Sequence, residues 1–173
     1  LRDRAAVPDH IRNLTSDHVV AVEAGLIDAI ATRALQPVDP IAVRGGELDA
    51  AQREVVGALA GRAGVLVIEG GAGTGKTTTL AAAHRALELQ DRRLVVVTPT
   101  LKAAQAAQQQ VGADAFSAAW LIHQHGFSWD GDGHWSRVDA APEARARLLP
   151  GDVLLVDEAG MLDQDTARAL FAI

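Results

Sequence analysis

Gly70-Gly71-Ala72-Gly73-Thr74-Gly75-Lys76-Thr77 satisfies the spacing G-x-x-x-x-G-K-[ST], and each residue type in it has a mechanical purpose. Glycines let successive backbone N–H groups turn inward around a phosphate, an approach that bulkier side chains would block. Lys76 supplies a mobile cation for the β- and γ-phosphates, and the Thr77 hydroxyl can ligate magnesium. A helix starting there directs its positive end at the anion. The chemistry implied is binding of a nucleoside triphosphate, with ATP as the expected substrate and Mg2+ as its accompanying ion. The plainer alternative is a glycine-rich turn carrying a solvated lysine. An apolar run before the loop and a helical pattern after it are the context that favours the phosphate site.

A second candidate lies downstream, where the apolar run Val153-Leu154-Leu155-Val156 ends in Asp157-Glu158. Strand C-termini line the ligand crevice of a parallel nucleotide-binding sheet, so Asp157 is expected beside Thr77 and the magnesium. Glu158 then faces the water, where a carboxylate can orient and deprotonate the attacking molecule. Hydrolysis is favoured over transfer to a metabolite. The competing view is that both acids merely begin the next helix, since acids favour helix N-termini. Joined to the upstream loop, the pair gains weight because both sites are needed to hold one metal.

The elements that must position these residues follow from apolar spacing. Thr15-Ser16-Asp17 offers an N-cap, and Val19, Val20, Val22, Leu26, Ile27, Ile30 and Leu35 continue at helical spacing. Gln36-Pro37-Val38-Asp39-Pro40 breaks that pattern, and Gly45-Gly46 adds a flexible point, which sets a boundary between residues 1–45 and 46–173. A helix is predicted from Asp49 to about Gly61, carrying Val55, Val56 and Leu59. Val65-Leu66-Val67-Ile68 reads as a short strand buried on both faces. A helix from Thr77 to about Gln90 leads to Leu94-Val95-Val96-Val97, and later helices lead to Val153–Val156. Strand, helix and strand in repetition imply an α/β fold with a mostly parallel sheet and right-handed crossovers.

Composition sets the outer bounds. The chain has 173 residues, 49% of them hydrophobic, which suits one medium-sized domain with or without an appendage. It has no cysteine, so disulfides and thiolate metal sites are excluded and a cytoplasmic setting is the default expectation. No apolar run approaches the roughly 20 residues that span a bilayer, so no membrane partner is expected. The formal charge of −6 provides no global basic field, and any nucleic-acid binding must be local. The chain starts without Met and stops at Ala169-Leu170-Phe171-Ala172-Ile173 inside a helical pattern, so it reads as a fragment, truncated at the C-terminus.

Four stretches in order resemble the superfamily-one DNA helicases of the RecD and TraA type, the latter being the helicase part of conjugative relaxases. They are Leu48-Asp49-Ala50-Ala51-Gln52-Arg53, the loop Gly70–Thr77 with Thr78, Thr98-Pro99-Thr100-Leu101-Lys102-Ala103-Ala104, and Val156-Asp157-Glu158-Ala159-Gly160-Met161. The resemblance implies a RecA-like P-loop ATPase domain over residues 46–173, incomplete and preceded by a helical linker over residues 1–45. It implies that Gln52 contacts adenine and that Thr98, Pro99, Thr100 and Lys102 touch single-stranded DNA. It implies further an upstream relaxase domain and a downstream motor domain in the whole protein, with conjugative transfer as the setting.

Each implication has a local rival. Asp49 with Gln52 three residues later also forms a capping box, and Thr98-Pro99-Thr100 also suits a loop and N-cap before an Ala- and Gln-rich helix. Phe127-Ser128-Trp129-Asp130-Gly131-Asp132-Gly133-His134-Trp135 reads as a hairpin whose aromatics either pack on the domain, the favoured view, or stack on bases. No Gly-Asp-x-x-Gln motif follows Met161, which puts unwinding by this piece alone in doubt. A P-loop ATPase or kinase that does not act on DNA, or a module that binds nucleotide without turnover, remain the alternatives.

Overall fold

The computed structural model describes residues 16–43, 47–71, 73–129 and 135–173. Thr15, the Gly45-Gly46 break, Ala72 and the Asp130–His134 turn lie outside the described residues. Helix α1 spans Asp17–Ala34, and Ser16 caps it by accepting from the Val19 amide. Helix α2, Ala50–Ala60, begins at the expected Asp49 cap. Helix α3, Lys76–Glu88, follows the glycine-rich loop. Strand β1, Leu94–Thr98, then leads through helix α4, Leu101–Val111, to strand β2, Asp114–Ser117. Helix α5, Ala118–Gln124, precedes a hairpin of β3, Phe127–Trp129, and β4, Trp135–Arg137. Strand β5, Val153–Val156, a 3₁₀ turn at Ala159–Met161 and helix α6, Gln164–Phe171, complete the order.

The main sheet has the order β2-β1-β5 and is parallel throughout, with Val96 opposite Ala115 on one side and Leu155 on the other. Side chains alternate across a strand, so β1 supplies two cores. Val95 and Val97 pack with Phe116, Leu121, Ile122 and Leu170 on one face. Leu94 and Val96 pack with Leu87, Ala104 and Val111 on the other. Each Val, Leu, Ile or Phe among them, when fully buried, contributes about 1.5–3 kcal/mol. Helices on both faces of a parallel sheet are the expected α/β, RecA-like P-loop arrangement.

One predicted element does not form. Val65-Leu66-Val67-Ile68 has no strand structure, and Val67 and Ile68 are 82% and 40% exposed. The segment leaves α2 through Arg62, whose backbone exchanges hydrogen bonds of 2.9 and 3.0 Å with Asp39, outside the sheet. Beyond it the chain enters the glycine loop. Without a ladder partner, an apolar run does not become a strand.

Arg93 ties β1 to β5. Its guanidinium lies 2.7 Å from the Asp152 carboxylate, and the Asp152 side chain also accepts from the Arg93 and Leu149 amides at 3.1 and 3.0 Å. Burial pushes the Asp152 carboxyl upward. The hydrogen bonds from Arg93 and the Leu149 amide, with the Arg93 charge, outweigh it and hold the group below its ordinary pKa. Among the described residues no helix is long and apolar enough to cross a membrane.

The hairpin arms form as expected. Trp129 pairs with Trp135 and Phe127 with Arg137. Phe127 and Trp135 pack against the β1–α5 core, whereas Trp129 remains 54% exposed.

Candidate nucleotide site

The loop from Gly70 to Gly75 is shaped by two left-handed glycines, Gly73 at φ +77° and Gly75 at φ +76°. A residue with a Cβ is strained there, which explains glycine at both positions. Gly75 is the N-cap of α3, and among the described residues no side chain caps the helix start. The helix's first N–H groups are therefore free for an anion. Lys76, Thr77 and Thr78 form its first turn and are exposed.

Side chains engage the loop's carbonyls. Lys76 Nζ donates to Gly70 O at 2.9 Å, Thr74 Oγ1 to Gly71 O at 2.9 Å, and Thr79 Oγ1 to Gly75 O at 3.1 Å. Gln52 Nε2 donates to Thr74 O at 3.2 Å. Lys76, which is expected to meet the β- and γ-phosphates, thus rests on its own loop. Its flexible stem lets it exchange one carbonyl for a phosphate without backbone movement.

Gln52 also completes the capping box of α2, its Oε1 accepting from the Asp49 amide at 3.0 Å while the Gln52 amide donates to Asp49 Oδ1 at 2.8 Å. The local rival to adenine contact is therefore realised. The bond to Thr74 is an addition that spacing along the chain did not suggest.

Asp157 follows β5 directly, and its amide extends the ladder by donating to Val97 O at 2.8 Å. Its Oδ1 accepts from the Glu158 amide at 3.0 Å. Glu158 has φ +55°, a conformation uncommon for a residue with a side chain. Both acids are exposed.

An open cleft of about 1750 Å³ is lined by Gln52, Gly70, Thr74 and Lys76, and also by Val156 and Asp157. The loop lysine and the strand-end carboxylate are thus among the residues of one extended cleft, which also takes in Arg33, Arg92 and Leu170. Thr77 and Glu158 do not line it. Hydroxyl and carboxylate oxygens at Thr77 and Asp157 are hard donors suited to magnesium, which takes one or two protein ligands together with substrate phosphates. Among the described residues no cluster of three His, Asp or Glu could hold a metal unaided.

The other predicted contacts are distributed unevenly. Thr98 is 1% exposed, and its hydroxyl donates to Thr100 O at 2.8 Å. Thr100 Oγ1 accepts from the Ala103 amide at 3.2 Å and caps α4. Pro99 is half-buried, while Thr100 and Lys102 are exposed. The surface available for a strand of DNA therefore excludes the Thr98 side chain.

Residues 47–173 match the family model described as the AAA domain. No curated protein matches the chain.

Proposed function

Because the chain belongs to the AAA domain family over residues 47–173, we propose that it is the ATP-binding and hydrolysing part of a DNA helicase or translocase, of the RecD and TraA type. The observation that carries the nucleotide-binding part is the shared cleft. The loop at the start of α3 and Asp157 at the end of β5 both line it. Gly70–Thr78 and Lys76 would hold the phosphates, and Thr77 and Asp157 would hold magnesium. Magnesium, when bound, neutralises charge on the phosphate oxygens. Glu158 orients the attacking water and accepts its proton.

The DNA-directed part is supported by the four motif stretches in order along one α/β domain. Pro99, Thr100 and Lys102 follow the C-terminal end of β1, the same sheet end from which Asp157 emerges. A hydroxyl and an ammonium there suit phosphate contacts that position a strand without reading its sequence. Conjugative transfer, with a relaxase domain and a second motor domain in the longer protein, is the setting this reading favours.

ATP turnover measured with and without single-stranded DNA is the test. DNA stimulation is expected; phosphorylation of a small acceptor with no DNA effect would sink the helicase assignment. Lys76→Ala should abolish triphosphate binding or turnover, and unchanged activity would remove the phosphate assignment. Glu158→Gln should preserve binding while slowing hydrolysis, about 10²- to 10⁴-fold for loss of a general base.

A further inference from the structure

Four carbonyls of the loop, those of Gly70, Gly71, Thr74 and Gly75, accept hydrogen bonds from side chains. Three of the donors, Lys76, Thr74 and Thr79, belong to the loop or to α3. Gln52 comes from the first turn of α2, where its Oε1 is held by the Asp49 amide. Its side-chain amide is therefore fixed at one end by the capping box and presents its N–H groups to the Thr74 carbonyl at the other.

That carbonyl belongs to the peptide unit linking Thr74 to Gly75. The peptide is trans, so its C=O and its N–H point to opposite sides. Holding Thr74 O toward α2 thus aims the Gly75 N–H away from α2. The approach is close: a Cβ built on Gly75 would lie 2.5 Å from Gln52 Nε2. Glycine at 75 therefore serves the left-handed turn and also makes room for this amide.

We propose that Gln52 is a positioning residue of the phosphate loop, acting through the Thr74 carbonyl and independently of the base. The assignment rests on the reading of Gly70–Thr77 as a triphosphate site. A side-chain amide has two N–H groups and two lone pairs, so Gln52 can keep its Asp49 and Thr74 partners whether or not it also meets a base. Positioning of the loop favours every ligand bearing the same phosphates equally, whereas base reading favours one of them.

Binding of ATP, GTP and inorganic triphosphate, each with magnesium, distinguishes the two roles when measured by titration calorimetry on the full chain. Gln52→Ala should weaken all three by a common factor of about 3- to 10-fold, the size of one hydrogen bond's net contribution. Asp49→Ala removes the other half of the capping box, the bond from the Gln52 backbone amide to Asp49 Oδ1, without touching the Thr74 contact, and should bind all three as the parent does. Gln52→Met keeps the side-chain length without a charge or a donor for Thr74 O, so it should repeat the common loss even if Gln52→Ala folds poorly. A loss confined to ATP, or a Gln52→Ala effect matched by Asp49→Ala, overturns the proposal. If Lys76→Ala abolishes binding while both Gln52 variants bind normally, the positioning role alone fails. If neither Lys76 nor Gln52 matters, the triphosphate site fails with it.

Discussion

Leu94-Val95-Val96-Val97 and Val65-Leu66-Val67-Ile68 are close to interchangeable as strings of apolar residues, yet they meet opposite fates. The first becomes the central strand, with every residue at most 1% exposed. The second forms no strand and leaves Val67 82% exposed. The difference lies in what flanks them. Strand β1 has β2 on one edge and β5 on the other, and the Arg93–Asp152 pair pins its entrance to that of β5. Residues 65–68 have an Asp39-bound Arg62 on one side, the glycine loop on the other, and the open cleft between themselves and β5. Apolar character makes burial favourable, but backbone pairing decides whether a buried strand forms.

Substitutions in the two runs test that contrast. Leu94→Ala should cost about 2–5 kcal/mol, the usual range for truncating a fully buried leucine, read as a lower urea midpoint at unchanged slope. A loss near zero would show that β1 is not the centre of the core.

The clamp between β1 and β5 comes next. Asp152→Ala should cost about 1–3 kcal/mol at neutral pH, since it removes charged hydrogen bonds from a half-buried guanidinium. The effect carries a pH signature. Folding lowers the Asp152 pKa below its ordinary 3.8, so the unfolded chain binds that proton more tightly. Its stabilisation is complete well above 3.8 and is lost as pH falls through the lower folded value. The gap between parent and variant should close on acidification, and a gap independent of pH would mean that the loss is one of packing.

The smallest effect is expected at Val67, the most exposed residue of the second run, in which Leu66 by contrast packs against Val56 and Leu59. Val67→Ser should change stability by less than about 0.5 kcal/mol, as surface substitutions do. A loss comparable to that of Leu94→Ala would break the comparison, because it would mean that Val67 is buried.

Much of the site was legible from residue types. Glycines at 73 and 75 take the left-handed conformations that such a loop demands, and α3 starts within one residue of its expected position. The Asp49–Gln52 cap and the Val153–Val156 strand also follow from local rules, namely a short-range hydrogen bond and a short continuous apolar run. Strand β2 gave no such signal. Asp114-Ala115-Phe116-Ser117 lacks β-branched residues and forms because β1 offers it a free edge.

Long-range geometry accounts for the remainder. The family resemblance makes Thr98 a phosphate contact, but its position as the last residue of a doubly covered strand opposite Ser117 turns it inward. The Gln52 bond to Thr74 joins residues 22 positions apart, and no periodicity encodes it.

Sequence alone therefore determined the phosphate loop, the caps and the α/β alternation, because glycine conformation, capping and apolar period act within a few residues. The tertiary structure decided which apolar run became the central strand, which threonine was hidden, and that Lys76 and Asp157 share a cleft. Those outcomes depend on which backbone edges meet, and such meetings join residues remote along the chain.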